Sequence, residues 1–371
     1  MDFALTKDQE MFRTQIKKAV GDIGFTQIAR DLINGNTETF DKMTATLTEL
    51  GSTMIPIPEA YDGLDLSQLD MVPTFEELGK AIVPNLYLET MAFAVPILKR
   101  YGTDAQKQVL NDIALGEKQV SLAVLEEGGD FSTEGIELAL TEEKEGYVLH
   151  GEKIAVPYGE FADIFLVPVR HEEGVSLVYM NKEDAAVHQQ QAIDKTKQLT
   201  RITFDHVRVS TDQVIGELGN GWEIIEEGLL YLNAALSSYL VGAMEHVVEM
   251  ATEYAKIREQ FGQAIGRFQS IKHRIVDMKV NLEIARSLSH YANWILDTEE
   301  PDKVAAVYSA RSFVSEKLLQ AAGDNIQIHG GIGFTEELDC HLYLKQAQYY
   351  SQYLGHSSVH LDHVADVLEV M

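Results

Sequence analysis

Cysteine is almost missing from this sequence: Cys340 is the single one in 371 residues. One thiol can build neither an internal disulfide nor a thiolate metal cluster, and a reducing cytoplasm suits such a chain. No metal site is expected. Basic residues are scarce as well. There are 30 Lys and Arg against 58 Asp and Glu, a formal net charge of -28. A surface of that sign repels phosphate backbones and argues against nucleic acid as a partner. A polyanionic ligand would need a local basic site to capture it. Long apolar runs are also absent. Met91–Leu98 is among the longest, and Pro96 interrupts it, whereas a membrane span needs about 20 apolar residues. The opening MDFALTKDQE is polar and acidic, with no apolar stretch of the kind a signal peptide requires.

What is present is ample core material, 45% of the residues being hydrophobic. Length admits one large domain or two to three smaller ones. Residues up to about 115 read as helices. Leu5, Phe12 and Ile16 recur at helical spacing, and Thr6 is placed to cap the turn Lys7-Asp8-Gln9-Glu10. Ile55–Gly63 (IPIPEAYDG) reads as a turn, and helical signal resumes over Met71–Leu98. Between about 119 and 216 the rhythm changes. Short β-prone runs appear at Val120–Val124, Ile136–Leu140, Tyr147–Leu149, Ile164–Val169, Val175–Met180 and Arg201–Phe204, with turn signals at Glu145-Gly146 and Glu173-Gly174. That pattern predicts an antiparallel sheet or small barrel. From about 222 onward long helices are expected, over Ile224–Ile257 and Phe268–Leu296, then one opened by Pro301. Gly323 falls in or near that last helix, and GGIGF at 330–334 closes it as a turn. Long helices of this kind pack as a bundle. The expected fold is thus α+β: an N-terminal helical domain over 1–118, a middle antiparallel β-domain over 119–216, and a C-terminal four-helix-type bundle over 217–371 that mediates oligomerisation.

Two segments make this order specific. Tyr254-Ala255-Lys256-Ile257-Arg258-Glu259-Gln260-Phe261-Gly262, followed by Ile265-Gly266-Arg267-Phe268-Gln269, resembles a signature of the acyl-CoA dehydrogenase family, roughly YAxxRxQFGxxIxxFQ. Gln327-Ile328-His329-Gly330-Gly331-Ile332-Gly333-Phe334-Thr335 resembles the family's second signature, QxHGGxGxT. Weaker likenesses lie at Ile57-Pro58-Glu59, at Glu76-Glu77-Leu78-Gly79 and over Phe204–Val209. The resemblance implies an FAD-dependent dehydrogenase of acyl-CoA catabolism. The α-proton of a thioester leaves to a carboxylate, and the β-hydride goes to flavin. It implies electron-transfer flavoprotein as the acceptor. It also implies a flavin at a subunit interface, one subunit holding the ring and its neighbour the pyrophosphate.

On that resemblance Arg258 is the residue that reaches a neighbour's FAD pyrophosphate, a task suited to a fixed charge with a bidentate fork. Gln260 and Phe261 sit beside it. Gln327, Gly330 and Gly331 form a loop that approaches the same cofactor closely. Without the motif, the arginine reads as a solvated helix face and the glycines as a helix C-cap. His329 reads as an ordinary hydrogen-bonded histidine. The family's catalytic glutamate aligns with Leu354, in Tyr353-Leu354-Gly355-His356, and its alternative position with Leu232. Neither can accept a proton. Glu226, Glu227 and Glu245 are nearby in the chain and read as solvated. Where the family has Thr-Glu-Pro this chain has Leu125-Glu126-Glu127, and its flavin-covering Trp-Ile-Thr strand aligns with Ala155-Val156-Pro157. Pro157 lacks an N–H. Residues that serve a neighbour's FAD remain while those that serve the chain's own ring do not. The chain therefore resembles the non-catalytic subunit of a heterotetrameric bacterial dehydrogenase, paired with a homologue that bears the glutamate. Three other readings stay open: a lyase-like acyl-CoA enzyme on the same fold, a purely structural partner that binds no cofactor, and a complete homotetrameric dehydrogenase with a relocated base.

Overall fold

The computed structural model describes residues 5–144 and 146–370; Glu145, half of one expected turn, lies outside them. In chain order the first helices are α1 (Lys7–Ile23), α2 (Gln27–Ile33), α3 (Glu38–Glu49), α4 (Val72–Lys80), α5 (Tyr87–Glu89), α6 (Val95–Tyr101), α7 (Asp104–Lys107) and α8 (Val109–Ala114). Strands follow: β1 (Val120–Leu122), β2 (Leu140–Glu143), β3 (Gly146–Pro157), β4 (Ile164–His171), β5 (Gly174–Asn181), β6 (Ala186–Gln189), β7 (Leu199–Val209) and β8 (Val214–Ile215). The chain then continues through α9 (Gly221–Ile257), the short strands β9 (Glu259–Gln260) and β10 (Gln263–Ala264), α10 (Gln269–Leu296), α11 (Lys303–His329), α12 (Cys340–Tyr350) and α13 (Ser357–Val370). No helix among the described residues is long and apolar enough to cross a membrane.

Local chemistry explains several boundaries. The Thr6 hydroxyl accepts from the Gln9 N–H, and the Gln9 side chain accepts from the Thr6 N–H, a reciprocal cap for α1. Pro96 does not break its helix. It sits in the first turn of α6, directly after a wide π turn over Thr90–Ala94 that absorbs the change of register. Pro301 is not in the first turn of α11, as expected, but ahead of it: the cap is Asp302 and the helix starts at Lys303. Gly323 is inside α11.

Two four-stranded sheets form, in the orders β1-β4-β5-β8 and β2-β3-β7-β6. All pairings within them are antiparallel except β1 with β4, which is parallel. Ile136–Leu140 is not a full strand: it makes one bridge at Ala139 and joins β2 only at Leu140. Strand β6 was not signalled, because its residues are mostly exposed and carry no alternation.

The chain divides into two compact units, neither of them one continuous segment. One comprises residues 1–34, 68–83 and 233–371; the other comprises 35–67 and 84–232. The division falls within α9. In the first unit, α4 and α9 touch backbone to backbone. A Cβ on Gly79 would lie 1.8 Å from the Tyr239 carbonyl oxygen, and one on Gly242 would lie 1.9 Å from that of Glu76. Beside this crossing the buried Glu76 carboxylate is paired with Arg13 of α1 and with Arg286 and His290 of α10. Burial alone would raise its pKa; the His290 hydrogen bond and the two guanidinium charges hold it below the usual carboxylate range. In the second unit, Phe40 of α3 packs against Tyr158 and Phe161, and Gly228 of α9 lies against Phe93 and Ile97.

Candidate functional site

Within the first unit, α9 ends at Ile257 and the chain turns through a tight hairpin. Gln260 pairs with Gln263, so Phe261 and Gly262 form a two-residue loop, at φ of 53° and 77°. Positive φ at both positions matches strand twist and normally selects Asn-Gly. A phenylalanine there is strained. Its ring is 92% exposed and meets only the edge of Phe268, centroids 6.1 Å apart. Arg258 stands just before the hairpin. Its N–H donates to the Tyr254 carbonyl at 2.9 Å and its carbonyl accepts from the Ile265 N–H at 2.7 Å. The backbone is thus fixed, while the guanidinium is exposed and makes no ion pair among the described residues.

The second signature lies against the first. The rings of Tyr254 and His329 stack at 4.2 Å, and the Tyr254 hydroxyl donates to the His329 carbonyl at 3.4 Å. His329 Nδ1 bonds the Asn325 carbonyl at 2.9 Å, and burial lowers its pKa. Gln327 is exposed on the last turn of α11. Gly330 takes φ 65° and ψ −144°, a conformation open to glycine alone. A Cβ on Gly331 would meet nothing within 4 Å, so its backbone faces open space. The structure therefore brings Arg258, Gln260, Phe261, Gln327, Gly330 and Gly331 onto two adjacent chain turns joined by the Tyr254–His329 stack.

Within the second unit, the strand that resembles the flavin-covering segment is irregular. The pairing of β3 with β7 shifts between Lys153 and Val156, and Ala155 and Tyr158 have φ of 51° and 52°. The Ala155 N–H is engaged by the Gln190 side chain at 2.7 Å. Val156 and Pro157 are buried. Next to them Lys153, fully buried, donates to the Val124 carbonyl at 3.1 Å and to Glu126 at 2.6 Å. Glu126 also accepts from the N–H groups of Glu137 and Leu138. The Leu125-Glu126 segment is thereby committed to internal bonds.

Both aligned base positions are leucines out of water. Leu232 is fully buried in α9, and Leu354 is 9% exposed. Leu354 nonetheless has φ 62°, followed by Gly355 at 109°. Arg311 shapes that turn. Its buried guanidinium donates to the carbonyls of Tyr350 at 2.5 Å and Tyr353 at 3.1 Å, to Asn233 Oδ1 at 3.1 Å, and to the Ser315 hydroxyl. The neighbouring glutamates are not simply solvated. Glu227 accepts from Tyr101 and Arg100, Glu226 from the Trp222 indole at 2.9 Å, and Glu245 from Arg286 at 3.0 Å.

Helices before and after a two-sheet β-region, with two glycine-bearing turns brought together among the C-terminal helices, suit a flavin-dependent oxidoreductase. The model for the acyl-CoA dehydrogenase N-terminal domain matches residues 6–117 and that for the C-terminal domain matches residues 219–369. The chain belongs to the acyl-CoA dehydrogenase family. It is similar to the L-prolyl-(peptidyl-carrier protein) dehydrogenase of Serratia sp. (strain ATCC 39006), 26% identical, covering 91% of this chain and 90% of that one. Among solved structures it resembles PigA with FAD and proline (TM-score 0.90, 25% identity, 100% and 99% covered). It likewise resembles butyryl-CoA dehydrogenase of Megasphaera elsdenii (TM-score 0.89, 25% identity, 99% and 100% covered).

The cofactor is FAD, and its two ends fit this chain unequally. A pyrophosphate needs fixed positive charge and room for close approach, which the exposed Arg258 and the open face of Gly331 offer, while the Gly330 N–H is spent on the Ile326 carbonyl. A flavin ring needs hydrogen-bond donors at its edge. The Leu125 side chain has none, Pro157 has no N–H, and that of Ala155 is taken by Gln190. The β3 segment does not fit the ring in the way the family resemblance implies.

Proposed function

We propose that this chain is the subunit of an acyl-CoA dehydrogenase complex that completes a partner's FAD site without bearing the catalytic base. The partner is a homologous chain with the glutamate and the ring pocket, the substrate is an acyl-CoA thioester, and electron-transfer flavoprotein takes the electrons. The observation that supports this reading is the asymmetry just described: in one unit an exposed Arg258, unpaired among the described residues, near an open glycine turn, and in the other a ring segment whose side-chain donors are missing or whose N–H is already used. Arg258 holds the pyrophosphate of FAD whose ring belongs to the partner. The bound flavin supplies the hydride acceptor. This chain's residues bind and orient it, and the proton is taken elsewhere, since Leu354 and Leu232 cannot accept one.

The test is co-expression with a glutamate-bearing homologue. Flavin should number about one per two chains. Arg258→Ala removes a charge-assisted contact of roughly 1.5–3 kcal/mol, so FAD affinity should fall about ten- to a hundredfold and flavin retention with it. The chain purified alone should be colourless and should not oxidise an acyl-CoA with a dye acceptor. Stoichiometric flavin in the lone chain overturns the reading and favours a lyase-like enzyme. Turnover by the lone chain favours a complete dehydrogenase with a relocated base.

A further inference from the structure

Strands β3 and β7 slip by one residue near the outer end of their pairing. Leu149 faces Val207 but Gly151 faces Phe204. His150 therefore stands alone against two residues, Asp205 and His206, in a β-bulge with His206 at φ 53°. The bulge turns consecutive side chains of β7 toward the single one of β3. The two imidazole rings lie 4.2 Å apart between centroids. Asp205 Oδ1 is 2.8 Å from His206 Nδ1 and 3.4 Å from His150 Nδ1. One donor atom from each of the three lies within 4.8 Å of the others.

We propose that His150, Asp205 and His206 form a surface site for a divalent transition metal, with zinc as its ligand. A metal about 2.1 Å from each donor separates neighbouring donors by roughly 3.0–3.4 Å. The two carboxylate–imidazole separations, 2.8 and 3.4 Å, need to move only by tenths of an ångström to meet that. Two imidazoles and one carboxylate suit zinc, nickel or copper. Calcium and magnesium take all-oxygen shells and are not expected to bind. All three side chains are exposed, so water fills the remaining positions and no entry path is needed. A bound ion would tie the bulge of β7 to β3 and stabilise the folded chain by mass action.

The experiment is calorimetric titration of zinc chloride into the chelator-treated full chain, beside magnesium chloride. One zinc per chain is expected, with no magnesium uptake. His150→Ala and His206→Ala should each weaken zinc binding roughly tenfold or more, since a direct ligand counts for no less than an outer partner. The double variant should lose the site and the zinc-induced rise in melting temperature together. Because all three side chains are at the surface, the variants' metal-free melting temperatures should match the wild type. Zinc bound equally well by the double variant, or not bound by the wild type, overturns the proposal.

Discussion

Lys153 shows how one residue can carry a pH response. Burial pushes its ammonium down to about 8, against the pull of Glu126, and burial does the same to Lys197, also to about 8. In the unfolded chain each titrates near 10.5. Between those values the unfolded state holds protons that the folded state has released, so stability rises with pH across that window. The largest slope one such group gives is about 1.4 kcal/mol per pH unit. Lys153→Met should therefore flatten the rise by up to that amount, read as the difference between wild-type and variant urea midpoints at pH 8, 9 and 10. Parallel curves for the two proteins would show that Lys153 does not titrate in this window.

At the scale of elements, the crossing of α4 and α9 is set by Gly79 and Gly242, whose hydrogens face the other helix's carbonyls. Gly242→Ala has no flexible side chain to displace, only backbone. The helices must separate, which overpacking data put at about 1–3 kcal/mol or more. Chemical denaturation should show that loss, whereas Gly323→Ala, on an open face of α11, should be neutral or slightly stabilising. Elements with strong local signals were legible in the sequence: the Thr6 cap, the lengths of α9 and α10, and both signatures, whose residues are contiguous. What depends on pairing was not. The parallel β1–β4 contact, the exposed β6, the Tyr254–His329 stack and the His150–Asp205–His206 bulge each join residues distant in sequence. Of the α9 glutamates, the bonds of Glu227 and Glu245 were not legible because their partners, Tyr101, Arg100 and Arg286, lie on other elements. Of the candidate site, the residues of the two signature turns could be named from the sequence; the occupied N–H of Ala155 could not, since Gln190 reaches it only in the folded chain.

The whole molecule carries an apolar stripe that its own core does not use. Val276, Val280 and Ile284 recur every fourth residue along α10 and are 52%, 52% and 43% exposed. Such a face on a chain with net charge -28 suits burial against another subunit, in keeping with an FAD site completed between chains. Replacing Val276 and Val280 together by Asp should shift sedimentation toward smaller species and release flavin from the co-purified complex, while leaving the circular dichroism of the chain unchanged. An unaltered sedimentation profile would place the interface elsewhere. The turn at Leu354 bears on how such a molecule could change over time. A leucine in the left-handed region costs on the order of 1–2 kcal/mol, and Arg311 holds the turn there through main-chain carbonyls, indifferent to the side chain that the turn presents. The shape is thus inherited separately from the residue displayed on it. The backbone of this turn would therefore accept an acidic side chain at position 354 without rebuilding, whereas a new donor in the β3 segment would require replacing Pro157 or releasing the Ala155 N–H from Gln190.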